Sequence, residues 1–528
     1  MSDGALYLVD IGAYTPGTGI LTTTLYYAST PGYQTEAADT PSSTVYEERL
    51  IDPGTFSRSL FKPNALSGAS VVGLGTVVLN NADGALDALS EYAFDGRPIT
   101  IRRGSVGAAL NAFTTVFTGT MGQVTFDFTT VTISITDAQG EVASLQMTTQ
   151  QYGGTNFTTG SNEVDGTEDD LKDRYKPMLY GAVEGIAPPL VNTAQLTYQV
   201  SVTGIEVITG VYDNGEAITQ GTGHASLAAL LGATPTASTW DYYYGDASTG
   251  CYFRLGSSPA GVVTVDAAEG TSSPNTRTAA QVAERILMGP GGLASGSLDA
   301  ASVTALDALN DAAVGVWVGP DGETIGITLD AVLQSIGAYW AVDRLGMFRL
   351  GRLDVPDSTG EVEILTGAEV LDTLERVQLA PDQGGLPSWR VTVRYRKNYT
   401  VQLPSNVAGA VTQARRNFLK EEWRSTGDTD PDVLARHPLS RESVFDCLLT
   451  TEARAQAEAV RLQNIFGQPI EFLRVPLPIE FSETIDLADT VTIDLPRFGW
   501  TGGVNFRVVG VEEDYEASEM TLEVFRVY

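Results

Sequence analysis

The basic residues offer the first candidate chemistry. Arg390, Arg394, Arg396 and Lys397 lie on or beside one alternating stretch, residues 389–402, with Tyr395 and Tyr399 interleaved; Arg415, Arg416, Lys420 and Arg424 follow closely. Such a group can bind nucleic acid, with guanidinium groups on phosphates and tyrosine rings on bases. The same residues serve where an acidic molecule meets acidic neighbours or neutralises its own carboxylates. Composition weighs on the choice. The chain has 32 Lys+Arg against 65 Asp+Glu, a formal net charge of −33. Each phosphate contact needs a cation, so tight wrapping of nucleic acid is disfavoured. An interface or internal-pairing role is therefore the reading for Arg394, Tyr395, Arg396 and Tyr399.

A second candidate is aromatic. Trp240, Tyr242, Tyr243, Tyr244 and Tyr252 cluster in sequence and suit either sugar stacking, a partner interface built on Tyr242 and Tyr243, or alternation between the core and the edge of a strand. Alternation is the simplest reading. The acids of the loop 151–173 (Glu163, Asp165, Glu168, Asp169 and Asp170) lack the spacing of a twelve-residue calcium loop. The glycine-rich run Gly289–Ala294 follows a helix, not a strand, so it has the wrong context for a dinucleotide. No phosphate loop, zinc-protease motif or Gly-x-Ser-x-Gly elbow occurs. The two histidines, His224 and His437, read as solvent-facing loop residues. The two cysteines, Cys251 and Cys447, read as separate reduced thiols. No catalytic, cofactor-binding or metal-binding residue is assigned, and no enzymatic activity is expected.

These residues sit on many short strands. At 528 residues with 55 glycines and 24 prolines, the chain fits roughly three domains of about 100–200 residues each. Residues 70–79 form a valine-rich strand run ending in the turn residues 80–84. A short helix follows with Leu86, Leu89 and Tyr92 or Ala93 on one face, and Gly96 and Pro98 restart a strand at Ile99. In 114–136, Val124, Phe126 and Phe128 alternate on one face, whereas Val131, Ile133 and Ile135 have the opposite parity. This demands a bulge or tight turn near Thr129–Thr130. Helices are predicted over 279–288 capped by Thr278, over 298–313, over 329–342 capped by Thr328, and over 451–466 stopped by Gly467. Strands follow at 490–495, 504–511 and 520–527. The fold class is mainly β with an α+β middle. No basic segment followed by an apolar stretch opens the chain and no run of about 18 apolar residues occurs, so a soluble protein is expected.

Several segments, taken in order, resemble tail hub proteins of long-tailed phages and gene transfer agents. They are 56–104 (the sheet run into Asn-Ala-Asp-Gly, then Gly-Arg-Pro and a basic strand), LKDRYKPMLYGAVEGIAPPLV (171–191), VYDNGEAIT (211–219), 329–353, RYRKNYTVQ (394–402), LKEEWR (419–424), and 489–525. The resemblance implies a multi-domain chain with two tail-tube-like β-barrel domains, 1–175 and 361–528, flanking a central α+β domain, 176–360. It implies a homotrimer whose six barrels adapt a hexameric tail tube, or a distal tail protein, above to a threefold spike, fibre or tip protein below. DNA would pass only in transit through an acidic lumen, with no specific nucleic-acid binding and no integral membrane association. The location implied is the virion tail tip, after assembly in the host cytoplasm. The chain ends soon after Phe525, so a long fibre-like extension is not expected. The alternative is a tail-associated cell-wall hydrolase or a receptor- or carbohydrate-binding tip protein.

Overall fold

Leu6 and Leu8 on one side of the first strand, and Tyr7, Val9, Ile11 and Ala13 on the other, are all buried; a strand covered on both faces belongs inside a layered structure. The computed structural model describes residues 4–17, 21–156, 163–246, 248–269, 277–358 and 360–528. Strand content is 40% and helix 17%, so the chain is mainly β with the helices concentrated in the middle and after Thr412. Among the described residues no helix is long and apolar enough to cross a membrane.

A 16-stranded sheet runs through both ends of the chain. Its C-terminal arc orders Glu375–Arg376, Ile470–Pro478, Glu519–Val527 and Val504–Asp514; its N-terminal arc continues through Leu74–Asn80, Thr130–Thr136, Thr114–Phe126, Pro98–Ser105, Ala5–Thr15 and Leu21–Ala28. The strand Thr55–Ser59 joins the arcs, pairing antiparallel with Val504–Asp514 so that Arg58 faces Val511 and Ser57 faces Glu512. One apolar core fills the concave side, drawing Phe56, Val77 and Ile133 from one arc and Leu473, Phe506 and Leu522 from the other. The terminal regions thus share a sheet and a core. A separate nine-stranded sheet spans Met178–Ile186 to Gly315–Val318 around Trp240 and Phe253. A third core collects the helices Ala279–Met288, Ile325–Gln334 and Glu452–Phe466 with the strand Arg390–Tyr395.

The parity change in 114–136 is a tight turn. Asp127 accepts hydrogen bonds from the backbone N–H of Thr129 (2.6 Å) and Thr130 (2.7 Å), reversing the chain so that Val131 faces Phe126; a register shift follows between Ile133 and Ile135. Val131, Ile133 and Ile135 are buried, but Phe126 is 37% and Phe128 99% exposed, so this face runs out of the sheet at its tip.

Four expectations need correction. The helix assigned to 329–342 begins earlier, at Ile325 after Thr324, and ends at Gln334; Ala338–Val342 is a fully buried strand. Thr328 lies inside the helix and bonds its hydroxyl to the Thr324 carbonyl (3.1 Å). A continuous apolar run does not distinguish a buried strand from a buried helix by period, and Gly337, at φ +65°, makes the break. The helix in 298–313 covers only Ala300–Leu309, capped by Asp299, and leaves Leu309 55% exposed. After Gly84 only a single 3-10 turn forms, Asp87–Glu91. The strand in 70–79 starts at Leu74, because the residues before it are held elsewhere: Asp330 accepts from the Ser70 N–H (3.3 Å) and the Trp340 indole N–H (2.9 Å), and Asp137 accepts from the Gly73 N–H (2.6 Å). Thr278 does cap Ala279–Met288 through the Gln281 N–H, and Gly467 ends Glu452–Phe466.

The joining strand carries a buried ion network. Arg58 is 2% exposed and reaches Asp486 (2.7 Å) and Glu513 (3.3 Å), the latter 0% exposed. Burial opposes the charge on Arg58, but the Asp486 and Glu513 carboxylates outweigh it and raise its pKa; burial raises that of Glu513, with Arg58 pulling the other way. Replacing Arg58 by Ala strands a buried carboxylate and is expected to cost about 3–5 kcal/mol, read as a lower urea midpoint. The double replacement R58M/E513L is expected to lose less than R58A alone, and an equal or larger loss would contradict this account.

Asp137 and Asp330 give a pH signature. Burial pushes each carboxyl up to about 6, against the backbone and indole N–H groups that favour ionisation. Their unfolded value is about 3.9, so the folded state holds these protons more tightly. Their stabilisation is full below the unfolded value and lost as pH rises through about 6. Thermal midpoints measured between pH 5 and 7.5 are expected to fall as pH rises, and the slope is expected to flatten in D330N.

Candidate interaction surface

The strand Arg390–Tyr395 is the centre of a three-stranded sheet, antiparallel to Arg424–Thr429 and parallel to Glu442–Asp446. Its alternation sends Val391, Val393 and Tyr395 into the core, leaving Arg390 and Arg394 on the outer face. The parallel register sets Arg390 opposite Glu442 and Arg394 opposite Asp446, so the sheet itself pairs each cation with an acid. Arg390 lies 3.4 Å from Glu442, and Arg394 Nη2 donates to Asp446 at 2.6 Å. Arg396 grips Glu184 with two bonds, 2.7 and 3.0 Å. Arg415 bonds Asp266 at 2.9 Å and stacks 3.8 Å from the Tyr212 ring centre. Lys397 and Lys420 lie near Glu422 (3.8 Å) and Glu421 (3.1 Å). Arg416 donates to the Ala408 carbonyl (2.6 Å) and Arg424 to that of Arg396 (3.1 Å). The exposed pairs among these contribute only about 0–1 kcal/mol each, and Arg415–Asp266 is mostly buried; what they change together is the local charge presented to a partner.

The interleaved tyrosines do not present stacking faces. Tyr395 is buried. Tyr399 accepts a hydrogen bond from the Trp317 backbone N–H (3.1 Å) and meets the Trp317 ring edge-on at 6.1 Å; burial pushes its phenol up. The structure therefore puts Arg390 and Arg394 on one face of the sheet, gathers Arg396, Arg415 and Arg424 around the Phe418 ring, and packs both tyrosines against the chain itself. The acids that answer the arginines, Glu184, Asp266, Glu442 and Asp446, come from distant segments, and only the short spacing of Glu442 to Asp446, matching Arg390 to Arg394, was a signal available in sequence.

The second cluster is split by its strand, Thr239–Tyr243. Trp240 and Tyr242 face the core that holds Tyr198 and Phe253, while Tyr243 and Tyr252 face another with Tyr152 and Leu230. The Tyr243 hydroxyl lies 2.9 Å from that of Thr249, and the Tyr242 and Tyr244 rings stack at 4.4 Å. His224 is not a free loop residue: its Nε2 lies 3.0 Å from Asp241 and the ring is half-buried. His437, half-buried as well, ends the helix Pro431–Arg436. Both cysteines are unpaired and buried, and burial pushes the Cys447 thiol up to about 12. In the acidic loop, Asp165 accepts from the Gly153 N–H (3.0 Å), Asp170 from the Thr167 N–H (2.6 Å), and Glu168 pairs with Lys172 (2.6 Å); residues 157–162 of that stretch lie outside the described residues. Among the described residues no group of three or more His, Cys, Asp or Glu is placed to hold a metal ion.

Few cations are left over. Among the described residues, Lys62, Arg97, Lys176, Arg441 and Arg497 have neither an ion pair nor a side-chain hydrogen bond to an acid or carbonyl; Arg97 lies over the Tyr14 ring at 5.5 Å, Lys176 over that of Tyr152 at 5.5 Å and Arg497 over that of Phe498 at 5.1 Å. Lys62 borders a groove of about 680 Å3 lined by Pro63, Ala65, Leu379 and Pro381. That groove adjoins a cavity of about 450 Å3 lined by Phe61, Leu66, Val444, Phe445 and Phe466, and both touch Ser67, Gly68 and Gln383.

No family model matches the chain, and no curated protein matches it. Among solved structures it is similar to the 43 kDa tail protein of prophage MuSo2 from Shewanella oneidensis, with 10% identity, a TM-score of 0.40, and coverage of 98% of this chain and 96% of that one. It is similar to a tail protein from Neisseria meningitidis MC58, with 10% identity, a TM-score of 0.41, and 98% and 96% covered. It is also similar to prophage tail protein gp18 from Listeria monocytogenes EGD-e, with 9% identity, a TM-score of 0.38, and 91% and 90% covered. Scores this low carry no argument about this chain.

With its arginines already answered by carboxylates, the chain is expected to leave duplex DNA unshifted in a gel at physiological salt. The variant E184Q/D446N frees Arg396 and Arg394 and is expected to gain weak binding at low salt. Strong binding by the unaltered chain, falling steeply with salt, would contradict the pairing account.

Proposed function

We propose that this chain is a structural, non-enzymatic hub of a phage tail tip or baseplate. Three copies form a ring that adapts a hexameric tail tube, or a distal tail protein, above to a threefold spike, fibre or tip protein below. DNA crosses it only in transit, through an acidic lumen. The division into 1–175, 176–360 and 361–528, with the two outer regions joined as arcs of one sheet, the homotrimer, assembly in the host cytoplasm and the tail-tip position in the virion belong to the same reading.

The observation that carries it is the 16-stranded sheet shared by both ends of the chain. A ring wall must transmit load around an axis without hinging between its parts, and pairing through Thr55–Ser59 makes the two arcs one continuous sheet. The charge supports it too. The chain carries −33 and commits most of its cations to its own acids and carbonyls, so a passing polyanion meets carboxylates with few free cations to hold it. Order and spacing of the hub-like segments, 56–104 through 489–525, supply the rest.

The test is a density map of the assembled tail together with the mass of the purified chain in solution. Three copies around the axis are expected. A chain that stays monomeric at micromolar concentration and is missing from the tail would overturn the proposal, as would clearing of host peptidoglycan in a zymogram.

A further inference from the structure

The hairpin formed by Thr114–Phe126 and Thr130–Thr136 ends in an aromatic knob. Phe128 is 99% exposed at its tip, beside Phe126. The turn beneath it is held rigidly: besides its two backbone bonds, the Asp127 carboxylate accepts from the hydroxyls of Thr129 (3.0 Å) and Thr130 (2.8 Å). These bonds, led by the Thr129 N–H, lower Asp127 to about 2, so the tip is anionic throughout the physiological range. A large apolar ring on a preformed turn loses little conformational freedom when it docks, and no described residue of its own chain covers it.

Each copy of this chain carries −33, so a contact between copies is favoured where an uncommitted cation of one meets an acid of the other. Of the uncommitted cations, Arg97, Lys176 and Arg497 already lie over rings of their own chain, whereas Lys62 opens onto an apolar groove. Ser67 and Gln383, whose side chains meet at 3.2 Å, border both that groove and the neighbouring cavity with Phe445 and Phe466. Knob and groove are therefore complementary in both respects: apolar ring to apolar furrow, and Asp127 to Lys62.

We propose that the hairpin tip of one copy seats in the Lys62 groove of the next, Phe128 entering the furrow and Asp127 facing Lys62. The contact is heterologous, because the two surfaces differ, and such contacts generate rings when the rotation closes. The inference rests on the homotrimer reading and adds which faces meet.

Cysteine pairing tests it, helped by the burial of both natural thiols. Gln378, an exposed residue lining the groove, and Phe128 are replaced together in F128C/Q378C. Mild oxidation of the purified full chain is expected to give a covalent ladder reaching the trimer on a non-reducing gel, with no ladder above dimer from either single variant. In the unoxidised background, F128S and K62E are each expected to weaken self-association at least about tenfold, with circular dichroism unchanged. A threefold assembly that gives no ladder overturns this contact and leaves the hub reading standing. A chain that remains monomeric overturns both.

Discussion

The molecule depends on a single seam, where Thr55–Ser59 pairs with Val504–Asp514. Main-chain hydrogen bonds there join segments that lie at opposite ends of the sequence, and Arg58 reinforces them by reaching Asp486 and Glu513 from inside the structure. A buried guanidinium between two carboxylates is a demanding arrangement, because removing Arg58 leaves uncompensated carboxylate charge away from water. The pairing therefore tolerates little slippage in register. With it in place, the N-terminal and C-terminal arcs enclose one apolar core; without it, Phe56 and Val511 would lose their common environment.

Charge is arranged on the same economy. The acidic excess is not spread evenly over an otherwise ordinary surface; cations sit where strand register or loop packing brings an acid or a carbonyl to them. Arg390 and Arg394 meet Glu442 and Asp446 by parallel pairing. Arg344, Arg416 and Arg507 close on carbonyls of Glu483, Ala408 and Ala488. A patch that in sequence has the composition of a nucleic-acid site is thereby largely neutral in three dimensions, and what the surface offers a polyanion is mostly carboxylate.

Elements whose period and punctuation agreed were readable from sequence. Ala279–Met288 has its Thr278 cap and glycine stop, Glu452–Phe466 its Gly467 stop, and Val504–Asp514 and Glu519–Val527 their β-rich runs between turn residues, whereas Ile470–Pro478 was not read as a strand. Reading failed where side chains are buried all round. Ala338–Val342 looks helical because nothing in a continuous apolar run reports a two-residue period. It failed again at Ser70–Gly73, where apolar composition suggested strand but Asp137 and Asp330 claim the backbone N–H groups.

The sequence by itself determined the class of the fold, the acidic character, a chain reversal or bulge near Thr129–Thr130 and the alternation that separates Trp240 from Tyr243, because each follows from composition or from residues within a few positions of one another. Only the tertiary structure decided which acid answers which arginine, that Tyr395 and Tyr399 turn inward, and that both ends of the chain share one sheet. Those outcomes depend on contacts between residues hundreds of positions apart, such as Arg58 with Glu513 and Arg396 with Glu184, and local propensity carries no information about a partner that only folding brings near.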